Sequence, residues 1–192
     1  MKQKFVLMFV SMLFLGVSLA SAEENNRLYW GPKAGLNIST ITKSEASAWR
    51  AGANVGMFAM CRYNDYWGLE ADLMFSMMGT DYDEGNIRLN YLTLPILGKL
   101  YLFRNLNMQL GPQFGVKVYD KINMYDVADV KNSGAFTGFE VMFVVGLGYE
   151  FNFGMTADVR YGIGLTNSIK DSYALGDKCK NEMFQISVGW RF

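Results

Sequence analysis

The chain has 192 residues, of which 51% are hydrophobic, with 18 basic and 18 acidic residues and no histidine. Balanced charge argues against a nucleic-acid binder. Without histidine, Ser-His-Asp and Cys-His catalysis and Cys/His metal sites are excluded. We therefore expect no enzyme, and no catalytic, cofactor-binding or metal-binding residues.

The first 22 residues are predicted to be a cleaved signal peptide. A start with two lysines is followed by an uncharged apolar stretch over 5–19 and by an A-x-A cleavage site at 20–22. A membrane anchor is the alternative, but this stretch is shorter than the roughly 20 residues that a spanning helix needs. The predicted mature domain, residues 23–192, loses both lysines and so has two more acidic than basic residues.

From residue 28 onward, apolar and polar side chains alternate with a period of two, which is typical of strands with two different faces. We predict eight strands of roughly 10 to 14 residues, the length that a tilted membrane strand requires. The predicted strands are Leu28–Ile38, Arg50–Arg62, Trp67–Met77, Asn90–Leu102, Leu106–Tyr119, Phe136–Tyr149, Phe153–Leu165 and Met183–Phe192.

The fourth predicted strand is nearly all apolar, and a buried helix is the alternative there. Pro95 and Gly98 lie inside it and argue against a helix. Pro32 and Pro112 also fall within predicted strands. Because a closed barrel has no free edge, we expect each of the three prolines to mark a bulge or a missing ladder bond.

The predicted connections alternate between tight turns and long polar loops. The tight turns are Asn64-Asp65, Arg104-Asn105 and Glu150–Asn152, and the long loops are Ser39–Ala48, Thr80–Ile87, Asp120–Ala135 and Thr166–Glu182. This layout is typical of outer-membrane barrels, and an even strand number returns both termini to the short-turn, periplasmic side. The fold class that we predict is an all-β, closed, antiparallel, up-and-down transmembrane β-barrel of eight strands.

One row of each predicted strand is bulky and apolar, and the other row contains the charged residues. Exposed to water, an apolar band from eight strands would far exceed what soluble proteins tolerate. Turned inward, it would overfill a narrow eight-stranded barrel. We therefore place the charges inside as a structural ion-pair network that plugs the lumen; an ion pathway or a proton relay is the functional alternative. The predicted members are Lys33, Glu70, Asp72, Lys117, Glu140, Asp158, Arg160 and Arg191.

Two further expectations concern pairs of residues. If the turn at Phe151 pairs its flanking strands evenly, Glu140 and Arg160 become diagonal neighbours. Cys61 is placed near a short turn and Cys179 in a long loop at the opposite end. Because a disulfide needs Cα atoms within about 7 Å, both thiols are predicted to be unpaired.

Many aromatic residues are predicted to gather at the short-turn end. They are Tyr29, Trp30, Tyr63, Tyr66, Trp67, Tyr101, Phe103, Tyr149, Phe151, Phe153, Trp190 and Phe192. Clustering at turns favours an interfacial girdle over ordinary core aromatics.

Four short motifs occur in order along the chain: GPKAGLN at 31–37, NYLTLPIL at 90–97, GPQFG at 111–115 and WRF at 190–192. Together they resemble the outer-membrane β-barrel family common in Bacteroidota, often called PorT-like or porin-family proteins, with an OmpX/OmpA-like eight-stranded barrel. The last motif is similar to the C-terminal signal that the barrel-assembly machinery recognises, with Trp190 and Phe192 as its aromatic residues. The resemblance implies fold and location, and it implies no single activity.

The first functional hypothesis is an integral outer-membrane protein with a structural or surface-interaction role. Its expected partners are outer-membrane lipid and lipopolysaccharide, the barrel-assembly machinery through Phe192, and extracellular or secretion partners at its long loops; no cofactor and no nucleic acid are expected. The second hypothesis is a narrow porin or a component of a secretion or transport machinery. The third is a soluble lipocalin-like carrier, which detergent-free solubility would support.

Overall fold

The computed structural model describes residues 27–41, 50–82, 85–124, 127–131, 138–166 and 181–192. In these ranges every regular element is a β-strand. The strands are β1 (Arg27–Ile41), β2 (Arg50–Arg62), β3 (Trp67–Tyr82), β4 (Gly85–Tyr101), β5 (Leu106–Met124), β6 (Val127–Lys131), β7 (Phe139–Glu150), β8 (Met155–Gly164) and β9 (Asn181–Trp190). The described part of the chain contains no helix that is long and apolar enough to cross a bilayer.

Eight of these strands close into a barrel. The sheet order is β4-β3-β2-β1-β9-β8-β7-β5, and β4 also pairs with β5, which joins the two edges. All pairs are antiparallel, and the first and last strands meet over Lys33 to Ile41 of β1. The short β6 lies outside this circle and pairs with the far end of β5. The structure therefore confirms the predicted closed eight-stranded barrel.

Two of the predicted long loops are largely β-structure. Strands β3 and β4 continue to Tyr82 and Gly85, where Thr80–Ile87 was predicted to be a loop. Strand β5 continues to Met124 and forms a hairpin with β6, inside the predicted loop Asp120–Ala135. Polar composition suggested loops here, but a hairpin satisfies its backbone groups through the ladder whatever its side chains are.

The turn between β7 and β8 is centred later in the chain than predicted. It extends from Phe151 to Gly154, and Gly154 adopts the left-handed conformation with a φ of 107°. In the resulting register Arg160 lies opposite Gly146. The predicted diagonal contact between Glu140 and Arg160 is therefore wrong, because the turn displaces Glu140 several residues toward the other end of the barrel.

The prolines lie where ladder pairing is interrupted, as predicted. Pairing between β3 and β4 skips Leu94 and Pro95, and pairing between β4 and β5 skips Gly111 and Pro112 of β5. Pro32 directly precedes Lys33, the first residue of β1 that pairs with β9. Since proline has no N–H to donate, these gaps accommodate it without a lost partner.

The two rows of each barrel strand have opposite environments. Leu36, Leu147 and Ile186 are 69%, 52% and 52% exposed, whereas the interior Lys33 and Arg160 are 1% and 2% exposed. The apolar row therefore faces outward and the charged row faces the interior. We call the two ends of the barrel the turn end, where the short connections lie, and the loop end.

Aromatic rings line the turn end. Phe151 contacts Tyr149 and Phe153, with ring centroids 4.8 and 5.2 Å apart, and Phe153 lies 6.1 Å from Trp190. Cys61, near this end of β2, is a free thiol. Cys179 lies outside the described residues, so its predicted state stays a prediction.

Candidate functional site: the charged interior

The period of two places the charged side chains of several strands on the same face of the sheet. Glu70 and Asp72 are two residues apart on β3, and Asp158 and Arg160 are two apart on β8, so each pair points inward together. Lys33 points inward from β1, between these strands. All five are 2% exposed or less. Closure of the barrel brings them together across the interior.

Glu70 lies at the centre of this arrangement. Its Oε1 atom is 2.5 Å from Lys33 Nζ and 2.5 Å from Arg160 Nη2. Its other carboxylate oxygen forms an ion pair with Lys99 of β4. One buried carboxylate therefore contacts three cations from three different strands.

The two aspartates complete the coordination of Lys33 and Arg160. Asp72 Oδ2 is 2.5 Å from Arg160 Nη1 and 3.3 Å from Lys33 Nζ. Asp158 Oδ2 is 3.0 Å from Lys33 Nζ and 3.6 Å from Arg160 Nη2. Both cations thus face three carboxylates each, which offsets the cost of burying them and of holding them close to each other.

Gln109 of β5 orients this cluster. It accepts a hydrogen bond from Arg160 Nε at 2.8 Å and donates one to Asp158 Oδ1 at 2.6 Å. Gly148 leaves the space for this contact, because a Cβ atom there would lie 2.3 Å from Gln109 Nε2. The amide of Gln109 therefore helps to fix the positions of the charges, and Gly148 leaves the room that this amide needs.

A second cluster surrounds Glu150 at the turn end. Its carboxylate is 3.2 Å from Lys99 Nζ and 2.9 Å from Arg191 Nη1. The Tyr101 hydroxyl and the Asn107 amide donate to it at 2.8 and 3.3 Å. Lys99 contacts both Glu70 and Glu150, so it connects the two clusters.

The connected set is electrically neutral. It contains the four cations Lys33, Lys99, Arg160 and Arg191 and the four anions Glu70, Asp72, Glu150 and Asp158. We call these eight residues the interior network. Neutrality matters because an unpaired charge in this environment would carry a large desolvation cost.

The structure places the eight sequence-predicted residues in two groups. Six belong to the interior network: Lys33, Glu70, Asp72, Asp158, Arg160 and Arg191. Lys117 and Glu140 lie farther toward the loop end, and the structure does not bring them to the network. Glu140 is 4% exposed, and its Oε1 atom has no hydrogen-bonding partner in the described residues.

Sequence reasoning missed Lys99 and Glu150. Lys99 is the one charged residue of the apolar run 92–102, so it could have been assigned to the inward row on that ground. Glu150 was placed in a turn, but it has the same parity as Glu140 and is the last residue of β7.

The family described as outer membrane protein beta-barrel domain matches residues 7–192. The chain belongs to this family. Its apolar strands therefore cross the outer membrane of a bacterium, with the described interior network inside the barrel. A soluble carrier, the third sequence hypothesis, has the opposite arrangement of rows and does not fit.

Solved structures show the same fold at low sequence identity. Neisserial surface protein A (NspA) has a TM-score of 0.61 and 12% identity, with 88% of this chain and 100% of that chain covered. Ail, the attachment invasion locus protein of Yersinia pestis, solved with the heparin analogue sucrose octasulfate, has a TM-score of 0.53 and 12% identity, with 86% of this chain and 99% of that chain covered. Among curated proteins, none matches this chain.

Proposed function

We propose that this outer-membrane barrel has a structural or surface-interaction role, that its interior network closes the lumen, and that it is not an enzyme. The observation that supports closure is the set of ion pairs between opposite parts of the wall. Arg160 of β8 contacts Glu70 and Asp72 of β3, and these residues are 90 and 88 positions apart in sequence. In an eight-stranded barrel the interior is only wide enough for its own side chains, so such contacts fill it.

A narrow porin or a component of a secretion or transport machinery is the second candidate. The charged lining favours it, because aqueous pores have polar interiors. Reconstitution of the pure protein into planar bilayers separates the two. The proposal expects no discrete conductance steps, whereas steps of reproducible size that change in Glu70→Gln would show that the interior network lines a pore.

We further propose that residues 1–22 are removed on export and that the termini and the short turns lie in the periplasm. Outer-membrane lipid and lipopolysaccharide would then contact the outward apolar row. Extracellular or secretion partners would meet the loop end, and the fold shared with Neisserial surface protein A supports an exposed loop end. Protease treatment of intact cells should cleave in 167–180 and leave the turns at 64–65 and 104–105 intact; the reverse pattern would overturn the orientation.

We also propose that Trp190 and Phe192 form the signal for the barrel-assembly machinery. In the folded barrel the Phe192 amide donates to the Trp30 carbonyl at 2.9 Å, and the two rings lie 5.6 Å apart. Deletion of Phe192 should reduce the protein in the membrane fraction several-fold. Phe103→Ala is the matched control, because Phe103 is also an exposed aromatic residue of the turn end (74% against 64% for Phe192), and this variant should leave the yield unchanged. Equal yields for all three chains would contradict the proposal.

A further inference from the structure

Several methionine side chains point into the described part of the barrel. They are Met60, Met74, Met78, Met142 and Met183, all buried on the inward rows of their strands. The described residues contain no group of three histidine, cysteine, aspartate or glutamate side chains that could hold a metal ion. A methionine thioether is a different class of ligand, because its sulfur is soft and polarisable. The interior methionines therefore have a chemistry that the charged residues lack.

Two of these thioethers meet beside Gly162 of β8. Met183 of β9 lies directly opposite Gly162, and Met142 of β7 lies opposite Gly164. A Cβ atom at Gly162 would be 3.1 Å from Met142 Cε and 3.6 Å from Met183 Cε. The missing side chain thus leaves the room in which both thioether ends come together, on the loop side of Arg160.

The sulfur atoms of this pair have lone pairs to offer, in contrast to the sulfur of Met60. Met60 Sδ accepts hydrogen bonds from two side chains of β4, at 3.2 and 3.6 Å. Met142 Sδ accepts one hydrogen bond, from Gln113 Nε2 at 3.5 Å. Since a thioether sulfur has two lone pairs, Met142 keeps one for a ligand whereas Met60 keeps none.

A buried carboxylate lies next to the pair. Glu140 is the inward residue that follows Met142 toward the loop end of β7, and it is 4% exposed. Its Oε1 atom has no hydrogen-bonding partner among the described residues. Because the interior network is neutral without Glu140, and because a buried charge is costly unless it is paired, this carboxylate favours a cation beside the two thioethers.

We propose that Met142 and Met183 bind a soft monovalent cation, copper(I), and that Glu140 balances its charge. Thioether ligands select copper(I), whereas hard cations such as sodium, magnesium and calcium prefer oxygen ligands. A single positive charge matches the single carboxylate. This inference goes beyond the proposed surface role and does not depend on it, since the site lies inside the barrel.

Titration with silver(I), followed by NMR of the protein with ¹³C-labelled methionine methyl groups, tests the proposal. Silver(I) has the charge and the softness of copper(I) and is not oxidised under these conditions. Cys61 and Cys179 are replaced by serine in every sample, because thiols would compete for silver. We expect the methyl signals of Met142 and Met183 to shift together and to stop shifting at one equivalent of silver. Absence of a shift at either residue would overturn the proposal.

The other methionines serve as controls within the same spectrum. Met60 is buried but has no free lone pair, and Met57 lies on the outward row and is 53% exposed, so neither signal should move. If Met57 responds at lower silver concentration than the proposed pair, binding is adventitious and the proposal is wrong. Sodium and zinc ions should leave all methionine signals unchanged, and a shift at the pair with either ion would contradict a soft site.

Substitutions then assign the ligands and the charge. Met142→Leu nearly conserves volume and should fold, but it should weaken silver binding by an order of magnitude or more, whereas Met57→Leu should not. Glu140→Gln should weaken binding several-fold. Its matched control is Glu182→Gln, which removes a carboxylate from the outward row of β9, one residue before Met183. Unchanged affinity in Met142→Leu would overturn the site, and equal effects of the two glutamine variants would overturn the role of Glu140.

Discussion

Replacement of Glu70 by glutamine should weaken the barrel more than almost any other single-atom change. Gln keeps the shape of the side chain but removes the charge that Lys33, Lys99 and Arg160 share. The interior network would then have four cations and three carboxylates. Removing one partner of a buried ion pair costs about 3 to 5 kcal/mol, and we expect the free energy of unfolding to fall by this amount.

Urea unfolding in lipid vesicles, followed by tryptophan fluorescence, measures this loss. Asp65→Asn is the matched control, because Asp65 is 96% exposed and its ion pair with Arg62 is long, with 3.8 Å between Oδ1 and Nη2. An exposed pair of this kind contributes about 0 to 1 kcal/mol. A second test is the double variant Glu70→Gln with Lys99→Met, which restores neutrality and should recover part of the loss.

The result that would refute this reasoning is a loss below about 1 kcal/mol in Glu70→Gln, similar to the control. The interior charges would then be hydrated and screened, and they could not close the lumen. Lys99→Met alone should also lower the free energy of unfolding. If it lowers that of Glu70→Gln by the same amount as that of the unchanged protein, the two residues are not energetically coupled.

Two other substitutions test the two faces of the wall. Gly148→Ala should lower the free energy of unfolding by about 1 to 3 kcal/mol, because its Cβ would lie 2.3 Å from Gln109 Nε2 and 2.6 Å from Asp158 Oδ1. Gly98→Ala is the control, because a Cβ atom there would lie 3.7 Å from the Leu110 carbonyl oxygen, an ordinary contact; equal losses would contradict the packing argument. On the outward row, Leu36→Arg should cost about 2 to 4 kcal/mol in the same vesicles. A neutral effect there would mean that Leu36 does not face hydrocarbon.

The period of two was enough to assign most interior charges. Asp158 and Arg160, or Glu70 and Asp72, stand on one parity of a strand whose other parity is bulky and apolar, so their side follows from the sequence. The inward orientation of Lys99 could not be predicted from the alternation, because both faces of β4 are largely apolar and Leu97 also points inward. In such a strand the pattern does not mark which row faces the interior.

Contacts across the interior were beyond the sequence pattern, because they depend on the stagger of all eight strands. Lys33 of β1 contacts Asp158 of β8 although β9 lies between their strands, and the registers of both strand pairs determine that contact. One turn shows the sensitivity: the position of Gly154 in the β7–β8 turn was enough to separate Glu140 from Arg160. Polar composition also misassigned the hairpin at Tyr82 and Gly85 as a loop.

The measurement that tests the inside-out arrangement most directly is oxygen accessibility of spin labels placed singly along β9, with Cys61 and Cys179 replaced. Oxygen concentrates in hydrocarbon, so labels at Phe184, Ile186 and Val188 in lipid vesicles should relax fast. Labels at Gln185 and Ser187 should relax slowly, since these side chains are 5% and 1% exposed. The account predicts that oxygen accessibility alternates with a period of two along β9. Higher accessibility at Gln185 and Ser187 than at their neighbours, or the same accessibility at every position, would contradict it.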